Sequence, residues 1–374
     1  MIYFDNAATT MPKPKSVINA ITESIKSCGN SGRSGHSLAL NAAKNVYNCR
    51  KKLAKIFNTR EEYVIFTSSA TEALNIAIKG TNRSCGVTLV SSIEHNSVMR
   101  PVNSLRRCGE TVMRQFKVDV SDDEVTKENF SAVSHSATNI IVNHASNVFG
   151  KILPVKTLKE LAPEEAVFIL DASQTAGHID IDIVEIGVDI MCVPGHKGLC
   201  GPMGVGALII NPYSDVIIDS LIEGGTGVNS KSLEMPEEYP ERLESGTQNV
   251  YGIAGLSAAL DEYEIDNGES ELFSYLVSEL KNVVDITLYG APQEKNTDGY
   301  VPVLLFNKKG FDCEALAEAL NKNEIAVRAG FHCAPNAHLT LGTYESGGVR
   351  ISLSKYNTKR EVDTFISRLN ALKA

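Results

Sequence analysis

The chain has no apolar run long enough to cross a bilayer, and its start, Met1-Ile2-Tyr3-Phe4-Asp5-Asn6, lacks the basic stretch and apolar core of a secretory leader. A cytoplasmic location without a membrane partner is therefore expected. It also lacks a basic stripe: the net charge is -9, whereas a binder of phosphate backbones needs clustered lysine and arginine, so nucleic acid is not an expected partner. Eight cysteines are present, but no C-x-x-C pair and no zinc-type Cys/His spacing, so no metal is expected. In a reducing compartment most of these thiols read as small buried hydrophobes. No internal repeat or low-complexity segment is found.

What is present is an ordinary globular composition, 43% hydrophobic and 22% charged over 374 residues, enough for a sizeable core and two domains. Val17, Ile18, Ile21 and Ile25 recur at helical spacing, and Ala42, Val46, Cys49, Leu53 and Ile56 more strongly. Between them, residues 27–36 are rich in glycine and serine and end on His36, which makes the loop a candidate substrate lid. Short β-branched runs follow at 63–66, 87–90, 111–116, 139–143, 167–170 and 188–193, alternating with helical stretches. Their near-continuous apolar character predicts strands covered on both faces, hence a mostly parallel α/β sheet whose ligands bind beyond the carboxyl ends of the strands. Residues 221–249 show little periodicity and read as a long functional or interface loop. A helix is expected at 251–264, and Thr358-Lys359-Arg360-Glu361 is a capping box opening a last helix. The domain boundary is placed near 250, giving a large domain 1–250 and a small domain 251–374, with the extreme N-terminus packing with the small one.

The strand ends gather polar groups. Lys197 closes Val193-Pro194-Gly195-His196-Lys197 and precedes a glycine-rich stretch whose backbone can approach closely; a lysine there can form a Schiff base with an aldehyde cofactor. Alone, a solvent-facing loop lysine is the commoner reading. Thr67-Ser68-Ser69-Ala70-Thr71 suits a phosphate at a helix N-terminus, and simple capping by Ser69 or Thr71 explains it equally. His95 lies at a strand-to-helix turn, and Asn147 offers an amide to the same crevice. Asp171, at a strand tip, would be costly to bury without a partner; beside a pyridine nitrogen it would keep that nitrogen protonated. Asp171 and Lys197, each ending its own strand, suit a pyridoxal phosphate site.

The ordered motifs Tyr3-Phe4-Asp5-Asn6-Ala7-Ala8-Thr9-Thr10, Thr71-Glu72-Ala73-Leu74-Asn75, Glu94-His95-Asn96-Ser97, Ser146-Asn147-Val148-Phe149-Gly150, Asp171-Ala172-Ser173-Gln174, Gly195-His196-Lys197 and Glu244-Ser245-Gly246-Thr247-Gln248-Asn249 run nearly the length of the chain. In them the sequence resembles the class V aminotransferase-like enzymes of pyridoxal phosphate fold type I, and within these the cysteine desulfurases and selenocysteine lyases. The resemblance implies a homodimer whose large domain holds a mostly parallel seven-stranded sheet between helices, with a smaller α/β domain after it. It implies that Lys197 carries pyridoxal 5'-phosphate, Asp171 pairs with the ring nitrogen, Gln174 bonds the ring oxygen and His95 stacks on the ring. Thr71 and His196 would hold the phosphate, Thr247 would reach over from the second subunit, and Asn147 would lie near the substrate.

Arg328-Ala329-Gly330-Phe331-His332-Cys333-Ala334 resembles the short cysteine segment of the Suf-type (group II) branch. Cys333 is then the catalytic nucleophile, with Arg328 and His332 expected to favour its thiolate. It would take sulfur from L-cysteine, release L-alanine and hold a persulfide for a sulfur-acceptor protein. Arg350 is expected to grip the substrate carboxylate through two parallel hydrogen bonds, and Arg328 and His36 complete the expected substrate contacts. Departures are Pro194 in place of a hydroxyl, Phe331 in place of a histidine and Ala70-Thr71 in place of Thr-Thr. Selenocysteine lyase, another class V activity such as transamination or epimerisation, and a scaffold without turnover are the rival readings.

Overall fold

The apolar runs do form strands covered on both faces. The computed structural model describes residues 1–32, 35–83, 85–265, 268–293 and 297–373. Its first part runs β1 (Ile2–Tyr3), α1 (Lys15–Ser27), α2 (Ser37–Phe57), β2 (Val64–Thr67), α3 (Ala70–Gly80), β3 (Gly86–Ser91), α4 (Asn96–Arg107), β4 (Thr111–Phe116), α5 (Asp123–Ser134), β5 (Asn139–Asn143), α6 (Val155–Glu160), β6 (Val167–Asp171), α7 (Ile183–Ile186), β7 (Ile190–Pro194) and β8 (Gly206–Ile210). Seven strands pair in the order β2-β8-β7-β6-β5-β3-β4. Six point one way; β8 runs against both β7 and β2. That reversed strand was hidden behind the glycine-rich stretch, although Gly206-Ala207-Leu208-Ile209-Ile210 is buried throughout.

Neighbouring residues on each strand serve opposite faces, as a period of two requires. Leu89, Ile140, Leu170 and Met191 pack with Leu53 and Phe57 of α2; Val90, Ile141, Ile169 and Ile190 pack with Leu74 of α3 and Val102 of α4. Burying each such side chain contributes about 1.5–3 kcal/mol, which is why the runs lack polar interruptions. The edge strand β4 instead exposes Val112, Arg114 and Gln115. At the other edge, Glu244 accepts the Phe66 N–H (2.6 Å) and pairs with Arg50 (2.9 Å), pinning the irregular stretch 221–249 against β2.

The second part runs α8 (Val250–Asp261), α9 (Glu269–Lys281), β9 (Ile286–Tyr289), β10 (Val303–Lys308), α10 (Cys313–Lys322), β11 (Ile325–Ala326), β12 (Arg328–Gly330), α11 (Pro335–Leu341), β13 (Gly348–Ser352) and α12 (Lys359–Ala371). An antiparallel sheet, β12-β13-β10-β9, shares a core with α9, α10 and α12. The capping box opens α12: Thr358 Oγ1 accepts from Glu361 N–H, and the Glu361 carboxylate accepts from Thr358 N–H. The N-terminus crosses to this layer, where β1 pairs with β11 and Phe4 meets Phe365 edge to face at 5.8 Å. Helix α8 packs instead on α1 and α2. We therefore move the proposed domain boundary from 250 to the residues after Asp261. Among the described residues no helix is long and apolar enough to cross a membrane.

Candidate active site

Parallel strands that end together place the residues following them in one crevice. Thr71 (after β2), His95 (after β3), Asn147 (after β5), Asp171 and Gln174 (at the end of β6) and His196 and Lys197 (after β7) all line a single cavity of about 90 Å³. Ser69, Ser97, Asn143 and Ser173 complete its polar wall. Ser69 caps α3 by accepting the Glu72 N–H, which leaves Thr71 free in the first turn to meet Ser97 Oγ at 2.8 Å.

The Lys197 turn is held from both sides. Thr10 Oγ1 donates to the Lys197 carbonyl (2.8 Å), and Lys13 Nζ and Thr9 Oγ1 donate to the His196 carbonyl (2.8 and 3.1 Å). Gly198 is required here: a Cβ on it would lie 2.4 Å from the Ala176 carbonyl oxygen, so only glycine lets the turn after β7 close on the loop after β6. Desolvation lowers the Lys197 amine to about 8, against the pull of the Asp171 carboxylate. An amine so tuned is partly neutral near physiological pH and able to attack an aldehyde. Burial, then the Lys197 charge, lowers His95 to about 4. Its Nδ1 accepts the Ser97 N–H (3.0 Å), which leaves the ring proton on Nε2. His196 is likewise lowered to about 4 by burial and by Lys197.

Cys333 comes from the other layer. Its turn, between β12 and α11, reaches the crevice, and the exposed thiol opens on a groove that shares Thr71, His95 and Ser97 with the cavity. Asn96 N–H donates to the Cys333 carbonyl (2.8 Å), and Asn147 Nδ2 donates to the His332 carbonyl (2.7 Å). His332 and Cys333 have φ of 52° and 56°, a left-handed pair that non-glycine residues adopt at about 1–2 kcal/mol each. One expectation is corrected here. His332 is buried, with burial foremost and Arg350 next holding it at about 2, so it is neutral and lends no positive charge to the thiol.

Arg350 stands one residue behind the cavity wall. Its Nη1 donates to the Asn147 carbonyl (3.0 Å), its Nη2 meets Asp5 Oδ1 at 2.7 Å, and its buried Nε has no partner among the described residues. Arg328 lies opposite it in register across β12 and β13. Neither arginine lines the cavity itself, and two further expected residues lie away from it. Thr247 is exposed and lines a different pocket with Glu244 and Gln248, while His36 is exposed and caps α2 by accepting the Ala39 N–H. The proposed lid 27–36 includes residues 33–34, which lie outside the described residues. Asp5, Ser97 and Asn143 join the site although no sequence pattern marks them for it; nothing in the motif around Asp5 indicates a partner so distant in the chain.

The donor set suits pyridoxal phosphate: a primary amine of lowered basicity, a buried carboxylate, a neutral imidazole, and hydroxyls at a helix start. Asn147 Oδ1 and His196 Nδ1, on the wall of that cavity, are also buried with no partner among the described residues, groups a bound molecule would satisfy. Among the described residues no cluster of three or more His, Cys, Asp or Glu could hold a metal ion.

Comparison with known proteins agrees with this geometry. The family described as "Aminotransferase class-V" matches residues 2–365. A "Probable cysteine desulfurase" of Methanothermobacter thermautotrophicus is 33% identical over 96% of this chain and 92% of its own length. A second, of Pyrococcus abyssi, is 32% identical over 100% of this chain and 94% of its own. The apo cysteine desulfurase of Thermococcus onnurineus NA1 superposes with a TM-score of 0.89 at 29% identity, covering 99% of this chain and 94% of that one. The chain therefore belongs to the aminotransferase class-V family, in its cysteine desulfurase group, and has the pyridoxal phosphate type I fold.

Proposed function

We propose that the protein removes sulfur from L-cysteine, giving L-alanine and a persulfide on Cys333 that passes to an acceptor protein. The observation that carries this reading is the thiol of Cys333 on a groove sharing His95, Thr71 and Ser97 with the Lys197 cavity. Pyridoxal phosphate, bound there, supplies an electron sink for charge left on substrate carbon. Lys197 would hold its aldehyde, Asp171 its ring nitrogen, Gln174 its ring oxygen, His95 its face, and Thr71 and His196 its phosphate, with Thr247 contributed by a second subunit of a homodimer.

The remaining work falls to side chains. Arg350, steadied by Asp5 and the Asn147 carbonyl, would offer the substrate carboxylate its Nε–H, which has no partner among the described residues. Lys197 Nζ, as a free amine of lowered basicity, would be a base of suitable strength for the substrate α-proton. The Cys333 thiolate attacks the substrate sulfur; the S–S bond forms as the C–S bond breaks, the electron pair stays with carbon, and the proton of the substrate thiol ends on the methyl group of alanine. Charge and atoms balance without an outside oxidant.

The test gives purified wild type and Cys333→Ala each L-cysteine and L-selenocysteine with a thiol reductant, and quantifies alanine. Alanine from cysteine in wild type only supports the reading. Consumption of selenocysteine alone, unaffected by the substitution, replaces it with selenocysteine lyase activity.

A further inference from the structure

The turn carrying Cys333 and the helix after it together hold a buried histidine pair that the proposed reaction does not use. His338, in α11, is fully buried, and its ring lies nearly parallel to that of His332, with centroids 5.5 Å apart and planes within 13°. Three distances order the protons. His332 Nε2 lies 3.3 Å from the Arg328 carbonyl, His338 Nε2 lies 3.2 Å from His332 Nδ1, and Thr343 Oγ1 lies 2.8 Å from His338 Nδ1. A ring nitrogen facing a carbonyl must donate, so His332 carries its proton on Nε2 and accepts at Nδ1. His338 must then donate from Nε2, and its Nδ1 accepts the Thr343 hydroxyl. One tautomer of each neutral ring satisfies these three side-chain contacts, and burial, acting against a backbone bond at Thr343, lowers His338 to about 4.

The chain of bonds ends on the site itself. Arg328 is paired in register with Arg350, the His332 carbonyl is held by Asn147, and the Cys333 carbonyl is held by Asn96 beside His95. Two successive left-handed residues do not hold that conformation unaided. We infer that His338 is a positioning residue for Cys333: by donating from Nε2 to His332 it keeps the left-handed turn that presents the thiol beside His95. The inference concerns the same site as the proposed reaction, and its activity arm rests on that reading; its exchange arm does not.

The two amide replacements of His338 separate a donor role from mere bulk. Glutamine places an N–H near the Nε2 position and keeps the donor to His332, whereas asparagine reaches only the Nδ1 position and loses it. Hydrogen–deuterium exchange of the peptide spanning 330–336 should rise about tenfold in His338→Asn and stay within about twofold of wild type in His338→Gln. Alanine formation from L-cysteine should follow, with kcat down about tenfold or more in His338→Asn, KM little changed, and the absorbance of the holoenzyme unaltered. Unchanged exchange in His338→Asn, or exchange in His338→Gln as fast as in His338→Asn, overturns the inference. Should His338→Asn not fold, Thr343→Val removes the hydroxyl that fixes the ring; faster exchange in the same peptide supports the role, and wild-type exchange refutes it. If wild type made no alanine from cysteine, the function reading would fall while the exchange result still decided this one.

Discussion

The floor of the crevice and the turn above it are built by opposite means. Asp171, Asn147 and Lys197 sit at or within a few residues of the ends of β6, β5 and β7, where adjacent ladders fix the backbone and the following residues inherit that order. Cys333 lies outside the strands, between β12 and α11; its turn exposes the cysteine, takes left-handed angles and is held by side chains of Asn147, His332 and His338. Groups that must hold a ring in one place belong on a sheet. On the proposed function, a thiol that meets substrate sulfur and then an outside acceptor belongs on a turn that reaches solvent.

Breaking the floor should remove everything, and breaking the turn only part. Lys197→Ala is expected to lower turnover of any substrate by at least about 10⁴-fold and to abolish the absorbance of lysine-bound cofactor, read on the purified protein. Cys333→Ala should leave that absorbance intact while cutting alanine formation from cysteine by about 10³-fold. Equal loss of absorbance in both variants would erase the distinction between floor and turn.

That contrast also explains what could be seen in the sequence. Strand-end groups were legible because the apolar runs announce the strands, and a residue just beyond a strand has little choice of place. Pairings across the chain were not: Asp5 meets Arg350 across 345 positions, and no local pattern around Asp5 names its partner. Strand β8 was obscured because the glycines before it read as a turn, although they admit the close approach of Gly198 to Ala176. The motif around Cys333 located the thiol but misjudged His332, since charge depends on burial and burial depends on α11 folding under the turn. Thr247 and His36 stay apart from the cavity of their own chain, and only contact with a second subunit would give Thr247 its proposed role.

The Asp5–Arg350 pair joins the two regions, so weakening it sharpens the comparison. Asp5→Asn keeps the shape but removes the charge that fixes Nη2 at 2.7 Å, leaving Arg350 held by the Asn147 carbonyl alone among these two partners. KM for L-cysteine is expected to rise about tenfold, equivalent to about 1.4 kcal/mol, with a smaller change in kcat. Steady-state kinetics check it, and a fall confined to kcat would assign Asp5 to the chemical step instead.

The last effect lies beneath the floor and is read in stability, not turnover. Glu94 accepts the Ser91 hydroxyl (2.5 Å) and the Asn143 N–H (2.9 Å) at Oε1, while Oε2 is buried without a partner among the described residues. Burial raises its carboxyl to about 8 despite those bonds, and Asp171 adds to the rise. The ordinary value is 4.5, so between that pH and about 8 the native state keeps a proton that the unfolded chain has released. Stability from the neutral carboxyl is thus full below about 4.5 and drains away as pH climbs to about 8. Glu94→Gln keeps a neutral group throughout. Its stability relative to wild type should therefore improve with rising pH across that window, by up to about 1.4 kcal/mol per unit, as measured by urea unfolding at pH 5, 6.5 and 8. A difference that stayed constant over the three would mean that the floor carries Glu94 charged, and that the parallel ladders around it tolerate two carboxylates where the geometry argues for one.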